Sequence, residues 1–214
     1  MIENNFIFEN VFQALRISYL MEILQCSTPN SVTILQQLNY CYTYTRGNNN
    51  IHFDGLNDLE IHGQCALIRN AVEKQLPYLL SCVIVAKYAT NNLRIEKIYK
   101  KKKIKIKVLQ ALTNKRLDAI KYIAEQVFIV YFKAKNISQN LVEILTTYCF
   151  DKKLFEQQNL SILQLSQEFH QPKSNLYYYI NKIQKFVKDN ETKAIQQIHE
   201  KLSKKNIIPN STRI

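Results

Sequence analysis

The sequence predicts a mostly α-helical protein, in which a multi-helix N-terminal module (1–92) precedes a basic helical region (93–214). Two observations lead there. Apolar residues recur along the 214-residue chain at spacings of three and four, the mark of helices that bury one face. Only 3 Gly and 4 Pro are present, too few to punctuate an array of tight hairpins or to build a glycine-rich phosphate cradle. A large β-sandwich and a P-loop nucleotide hydrolase are thereby disfavoured. With 46% apolar and 21% charged residues, the chain is hydrophobic enough to fold and falls outside disordered and collagen-like compositions.

Each element follows from its local pattern. Phe8, Val11, Phe12, Leu15, Tyr19 and Ile23 share one helix face, and that helix ends before Pro29. In 31–44, Val32, Leu35 and Leu38 have helical spacing while Tyr40, Tyr42 and Tyr44 alternate like a strand, so both readings stay open. The RGNNN run at 46–50 is an exposed loop. Ile61, Cys65, Ile68, Val72 and Leu76 form a second stripe, with Asp58 and Glu60 near the positive end of the helix dipole. Pro77 suits the first turn of a third helix carrying Leu80, Val83, Ile84 and Tyr88. Leu117, Ile120, Ala124, Val127, Phe128 and Tyr131 predict a long buried helix, and Leu141, Ile144, Leu145 and Tyr148 another.

Charge is segregated along the chain. The net charge is +12, yet residues 1–92 carry 5 Lys/Arg against 7 Asp/Glu, whereas 93–214 carry 24 against 10. A uniform compositional drift towards Lys would not separate the halves in this way. The basic half therefore predicts an acidic partner, with nucleic acid first among the classes, because positive potential steers polyanions and releases their counterions. Within it, 94–107 (RIEKIYKKKKIKIK) holds eight positive charges and one negative. Ile95, Ile98, Ile104 and Ile106 interleave those lysines, predicting an ordered element whose basic face brings Lys100, Lys101, Lys102 and Lys103 to phosphate.

The cysteines, Cys26, Cys41, Cys65, Cys82 and Cys149, are an odd set with no CxxC, which fits reduced thiols in the cytoplasm better than disulfides or a zinc ribbon. No basic n-region or long apolar stretch opens the chain, so no secretory signal is expected. The apolar runs fall short of the roughly 20 residues that cross a bilayer, so no membrane partner is expected.

The informative stretch is about 161–187, SILQLSQEFHQPKSNLYYYINKIQKFV. Ile162, Leu165 and Phe169 share the inner face of a short helix, and Ser166 is small enough for a close helix approach. Leu176, Ile180 and Ile183 make the inner stripe of a second helix. Lys173, Ser174, Asn175, Tyr177, Tyr178, Asn181, Lys182 and Lys185 are left outside or flanking, where Asn and Lys can pair with base edges while Ser and Tyr reach phosphates. That arrangement is what a DNA-reading helix-turn-helix requires. Lys188, and Lys152 and Lys153 ahead of the motif, are further candidates for backbone contacts.

This stretch resembles the common helix-turn-helix pattern: Leu165, Ser166, Gln167, Glu168 and Phe169 match its first part, and Lys173, Ser174, Asn175, Leu176, Tyr177, Tyr179 and Ile180 its recognition helix. The turn departs from it, with His170 at the usual Gly, Gln171 at the usual apolar residue and Pro172 at the usual N-cap. His tolerates the positive φ such a turn needs better than a bulky apolar residue does, and Pro172 can open the second helix at its first position. A wider likeness, through Phe8-Glu9-Asn10-Val11, Ala14-Leu15, Tyr19-Leu20-Met21-Glu22, Gly55-Leu56 and Gly63-Gln64-Cys65-Ala66, is to small phage or prophage regulatory proteins with a C-terminal helix-turn-helix. The resemblance implies transcriptional control in a bacterial cell.

Catalytic readings are weaker. His62 and Cys65, with Cys41 and His52 upstream, have no recognised catalytic or metal spacing, and Cys65 sits in an apolar stripe. Asp54, Asp58 and Glu60 read as loop polarity and helix-start charge. The expectation is a sequence-specific DNA-binding transcriptional regulator that is not an enzyme and needs no cofactor or metal. Its partner is double-stranded DNA, and the apolar helices of the acidic half are candidates for pairing into a homodimer. The alternative is a protein-interaction factor or inhibitor that sets its basic face against an acidic protein, such as RNA polymerase or a nuclease system.

Overall fold

The computed structural model describes residues 6–24, 56, 58–89, 103–135, 137–152, 155 and 160–210. The protein is mostly α-helical, with seven α-helices and no strand among the described residues. They are α1 (Val11–Leu24), α2 (Asp58–Glu73), α3 (Tyr78–Tyr88), α4 (Lys103–Val127), α5 (Gln139–Phe150), α6 (Ile162–Glu168) and α7 (Lys173–Ser203), and a π-helical turn, Phe128–Phe132, continues α4. Residues 31–44, the 46–50 loop and the expected boundary at 92/93 lie outside the described residues. No described helix is long and apolar enough to cross a membrane.

The chain divides into two compact units, 1–76 with 88–113 and 195–214, and 77–87 with 114–194. In the first, α1 packs on α2. Asn10 caps α1 by accepting the Gln13 N–H at 2.9 Å, and the Gln13 amide oxygen accepts Glu9 N–H at 2.8 Å, satisfying donors that a helix start leaves orphaned. Phe8, Val11, Leu15 and Tyr19 are buried as their spacing predicts, but Phe12 is 43% exposed. It shares its face with exposed Arg16, one turn on, while Ala14, Ile17, Ser18 and Met21 fill the inside. The whole stripe is buried, Ile61, Cys65, Ile68 and Val72 on α2 and Leu76 just beyond its end. Arg69 fastens the two helices, donating to the Ser18 carbonyl at 2.6 Å with its Nε 3.7 Å from Glu22. Beside it the Tyr19 hydroxyl, buried and close to Glu73 and Glu22, stays protonated well above the usual phenol range.

The C-terminal end closes this unit. Asn206 adopts a left-handed φ of 55°. Asn206 N–H donates to the Ser203 carbonyl and Ile207 N–H to that of Leu202, the Schellman pattern that ends helices. It turns Ile207 and Ile208 into the core and sets the Ile207 carbonyl 3.4 Å from Phe8 N–H.

Burial pushes the Cys65 thiol up to about 12, against a smaller opposing pull from Arg69. The unfolded thiol ionises near pH 9 and the folded one does not, so from about pH 9 to 12 the folded state holds the extra proton. Stability of this unit is expected to fall there by about 1.4 kcal/mol per pH unit. Urea denaturation at pH 8 and pH 10.5 checks this, and Cys65→Ala should flatten that part of the dependence; an identical slope in the variant would contradict it.

In the second unit, the Pro77 carbonyl accepts Ser81 N–H, so Pro77 is the N-cap of α3 rather than a residue of its first turn. Leu80, Val83 and Ile84 are buried. Ile120, Ile123, Ala124 and Val127 line the inside of α4, whereas Leu117 is 38% exposed. At Phe128 the helix widens: Lys133 N–H donates to the Phe128 carbonyl, five residues back, at 2.8 Å. The extra residue in the turn moves Ile129 and Val130 to the surface and brings Phe132 into the core. Leu141, Val142 and Leu145 bury one face of α5, and Tyr148 meets Phe155 edge to face at 4.9 Å.

Candidate nucleic-acid interface

The stretch 161–187 lies entirely in the second unit. Ser161 starts α6, accepting Gln164 N–H at 3.2 Å and donating its hydroxyl to the Gln164 side-chain oxygen at 2.8 Å, a variant of the Ser-x-x-Gln box. Leu165 is fully buried and Ile162 and Phe169 half-buried, while Leu163 faces solvent.

The turn that departs from the familiar pattern has an ordered geometry of its own. His170 takes a φ of 50°, in the left-handed region foreseen for it. His170 N–H donates to the Gln167 carbonyl and Gln171 N–H to that of Ser166, a second Schellman ending. The Ser166 hydroxyl donates to the Gln171 carbonyl at 2.7 Å. Gln171, where an apolar residue is usual, is half-buried, and its side-chain oxygen accepts the Tyr179 hydroxyl at 3.3 Å. Tyr179 therefore supplies the partner that makes a polar residue acceptable here. The Pro172 carbonyl accepts from Asn175 and Leu176 N–H, so Pro172 is the N-cap of α7, one residue ahead of the expected first helical position.

A β-branched residue in the left-handed region is strained, so His170→Val is expected to lose about 1–2 kcal/mol of stability, whereas His170→Gly stays within about 1 kcal/mol of the parent. Thermal melting of both variants checks this; equal midpoints for Val and Gly would contradict the turn geometry.

On α7, Leu176, Ile180 and Ile183 are buried as expected, joined by Tyr179 and Phe186. The π-helical turn supports them from behind: Phe132 meets Tyr179 with ring centroids 5.2 Å apart, and Tyr131 meets Phe186 at 6.1 Å, both edge to face. Such pairs are worth roughly 0.5–1.5 kcal/mol beyond their buried area, and they fix the rotation of α7 about its axis. Lys173, Ser174, Asn175, Tyr177, Tyr178, Asn181 and Lys185 are exposed and Lys182 is half-exposed. The Asn175 amide nitrogen lies 3.5 Å from the Gln171 oxygen, a long contact that a base edge can displace.

All eight α7 candidates thus sit on one helix. Lys100, Lys101 and Lys102 lie outside the described residues; Lys103 opens α4 in the other unit, with its side chain outside them too. Lys152 and Lys188 are exposed, and Lys153 is outside the described residues. Sequence reasoning missed Lys135, whose Nζ sits 5.4 Å from the Tyr178 ring centroid; its only trace is the FKAK run after the long helix.

Elsewhere, burial pushes the Cys149 thiol up to about 12 and raises that of Cys82, so these thiols and Cys65 stay protonated at neutral pH and are poor nucleophiles. Cys41, His52 and Asp54 lie outside the described residues. Among the described residues no group of three or more His, Cys, Asp or Glu could hold a metal ion. No protein family, no curated protein and no solved structure matches this chain.

Proposed function

We propose that this chain is a sequence-specific double-stranded-DNA-binding regulator of transcription, of phage or mobile-element type and acting in the cytoplasm, with α6 and α7 as its helix-turn-helix. One observation carries the reading. From Lys173 to Lys188 the sequence of α7 contains no carboxylate, the first being Asp189, and its outward positions hold Lys, Asn, Ser and Tyr on a face held rigid by aromatic pairs. In this reading α7 enters the major groove, Asn175 and Asn181 address base edges, and Lys173, Lys182 and Lys185 meet the backbone.

Selection of genomic duplex fragments on the immobilised protein tests the reading. The expected result is enrichment of a small set sharing a short sequence, retained at physiological salt. Weak, uniform retention of all fragments, lost at physiological salt, would contradict it and favour a basic face set against an acidic protein.

A further inference from the structure

We propose that Lys135, Lys182 and Tyr178 form a clamp for one phosphate of the DNA backbone beside the reading helix, an inference that rests on the DNA-binding function proposed above. The Nζ atoms of Lys135 and Lys182 each lie 5.4 Å from the centroid of the same Tyr178 ring, within the range where the negative face of an aromatic ring attracts an ammonium. Neither lysine has a carboxylate partner among the described residues. Both cations draw on one ring, which remains 46% exposed. A single ring quadrupole shared by two ammonium groups compensates neither charge fully; an anion with several acceptor oxygens completes the arrangement, taking both ammonium groups and the phenol O–H.

The backbone explains why Lys135 is there. Lys133 N–H closes the π-helical turn onto Phe128, and Lys135 N–H donates to the Phe132 carbonyl at 2.8 Å. Phe132 is pinned to Tyr179 and Tyr131 to Phe186. An ordinary α-helical turn would use one residue fewer and rotate the following side chains by about 100°, carrying Lys135 away from Tyr178. Nucleic acid fits better than an acidic peptide because Tyr177 and Tyr178 expose rings and hydroxyls beside the Asn and Ser side chains of α7, the residue types that contact backbone and base edges together.

A phosphate contact carries no sequence information and contributes to the salt slope of binding. Lys135→Gln should therefore reduce the magnitude of the slope of log K against log salt, by up to about 0.9, on two duplexes of unrelated sequence, leaving their affinity ratio unchanged. Lys133→Gln, two residues earlier in the same exposed turn, should leave the slope at the parent value. Equal slope losses in the two variants would mean diffuse surface charge and would overturn the clamp, as would a parent slope in Lys135→Gln. A parent protein that binds no duplex at all would overturn the DNA-binding function and the clamp with it, whereas the first two results overturn the clamp alone.

Discussion

Replacing Arg116 by Met is expected to lower the unfolding free energy of the second unit by about 3 kcal/mol. The guanidinium gathers three acceptors: its Nε donates to the Ala86 carbonyl at 2.9 Å, Nη2 to the Phe150 carbonyl at 3.0 Å and Nη1 to the Asp151 carboxylate at 2.5 Å. Two of these acceptors are carbonyls at the C-terminal ends of α3 and α5, where a helix leaves orphaned acceptors and partial negative charge. The Arg116 side chain is 12% exposed and that of Asp151 26%, so solvent offsets part of the loss and the expected cost sits at the low end for a broken buried pair. Arg116→Lys keeps the charge but loses the fork and should fall between. Urea titrations of the three proteins decide it. A loss below about 1 kcal/mol for Met would show that these contacts exchange readily with water. Since α5 ends at Phe150 and the chain then leads to α6, the same cluster anchors the approach to the candidate reading helix.

Changing Lys173, Lys182 and Lys185 together to Gln should reduce the magnitude of the salt slope by about 0.9 for each lost phosphate contact, up to about 2.7 in all, and weaken binding most at low salt. The loss should be similar for every duplex, because phosphate contacts position the protein without reading sequence. The three lysines project from a helix whose inner face is secured by Leu176, Ile180 and Ile183, so the fold should survive the change; circular dichroism verifies that. An unchanged slope would take the DNA backbone away from this face of α7.

What the sequence made legible is what depends on period alone. The stripe from Ile61 to Leu76 and that of Leu176, Ile180 and Ile183 are buried throughout, since apolar residues at spacings of three and four gather on one face. The positive φ of His170 was legible from its place in the turn, where the helix-turn-helix pattern has Gly and a left-handed residue is needed. Features set by distant partners were not. Phe12 and Leu117 belong to helical stripes but are exposed, because the rotation of each helix is decided by what packs around it. The π-helical turn at Phe128–Phe132 shifts every following side chain, and no local residue type announces it; hence Lys135 escaped notice. Gln171 looked misplaced until Tyr179, eight residues later, supplied its hydrogen bond. The two proline positions were each displaced by one, a distinction that rests on which carbonyl accepts the first helical bond.

The ratio of affinities for a selected duplex and for a scrambled one, measured at physiological salt for the parent and for Asn175→Ala/Asn181→Ala, separates base reading by α7 from general attraction to a polyanion. If α7 reads bases, the parent ratio is at least about 10³ and falls by a factor corresponding to about 1–3 kcal/mol for each asparagine that reads a base edge, with binding to the scrambled duplex and the fold unchanged. A parent ratio near one, or a ratio that the double substitution leaves untouched in a folded protein, would contradict it.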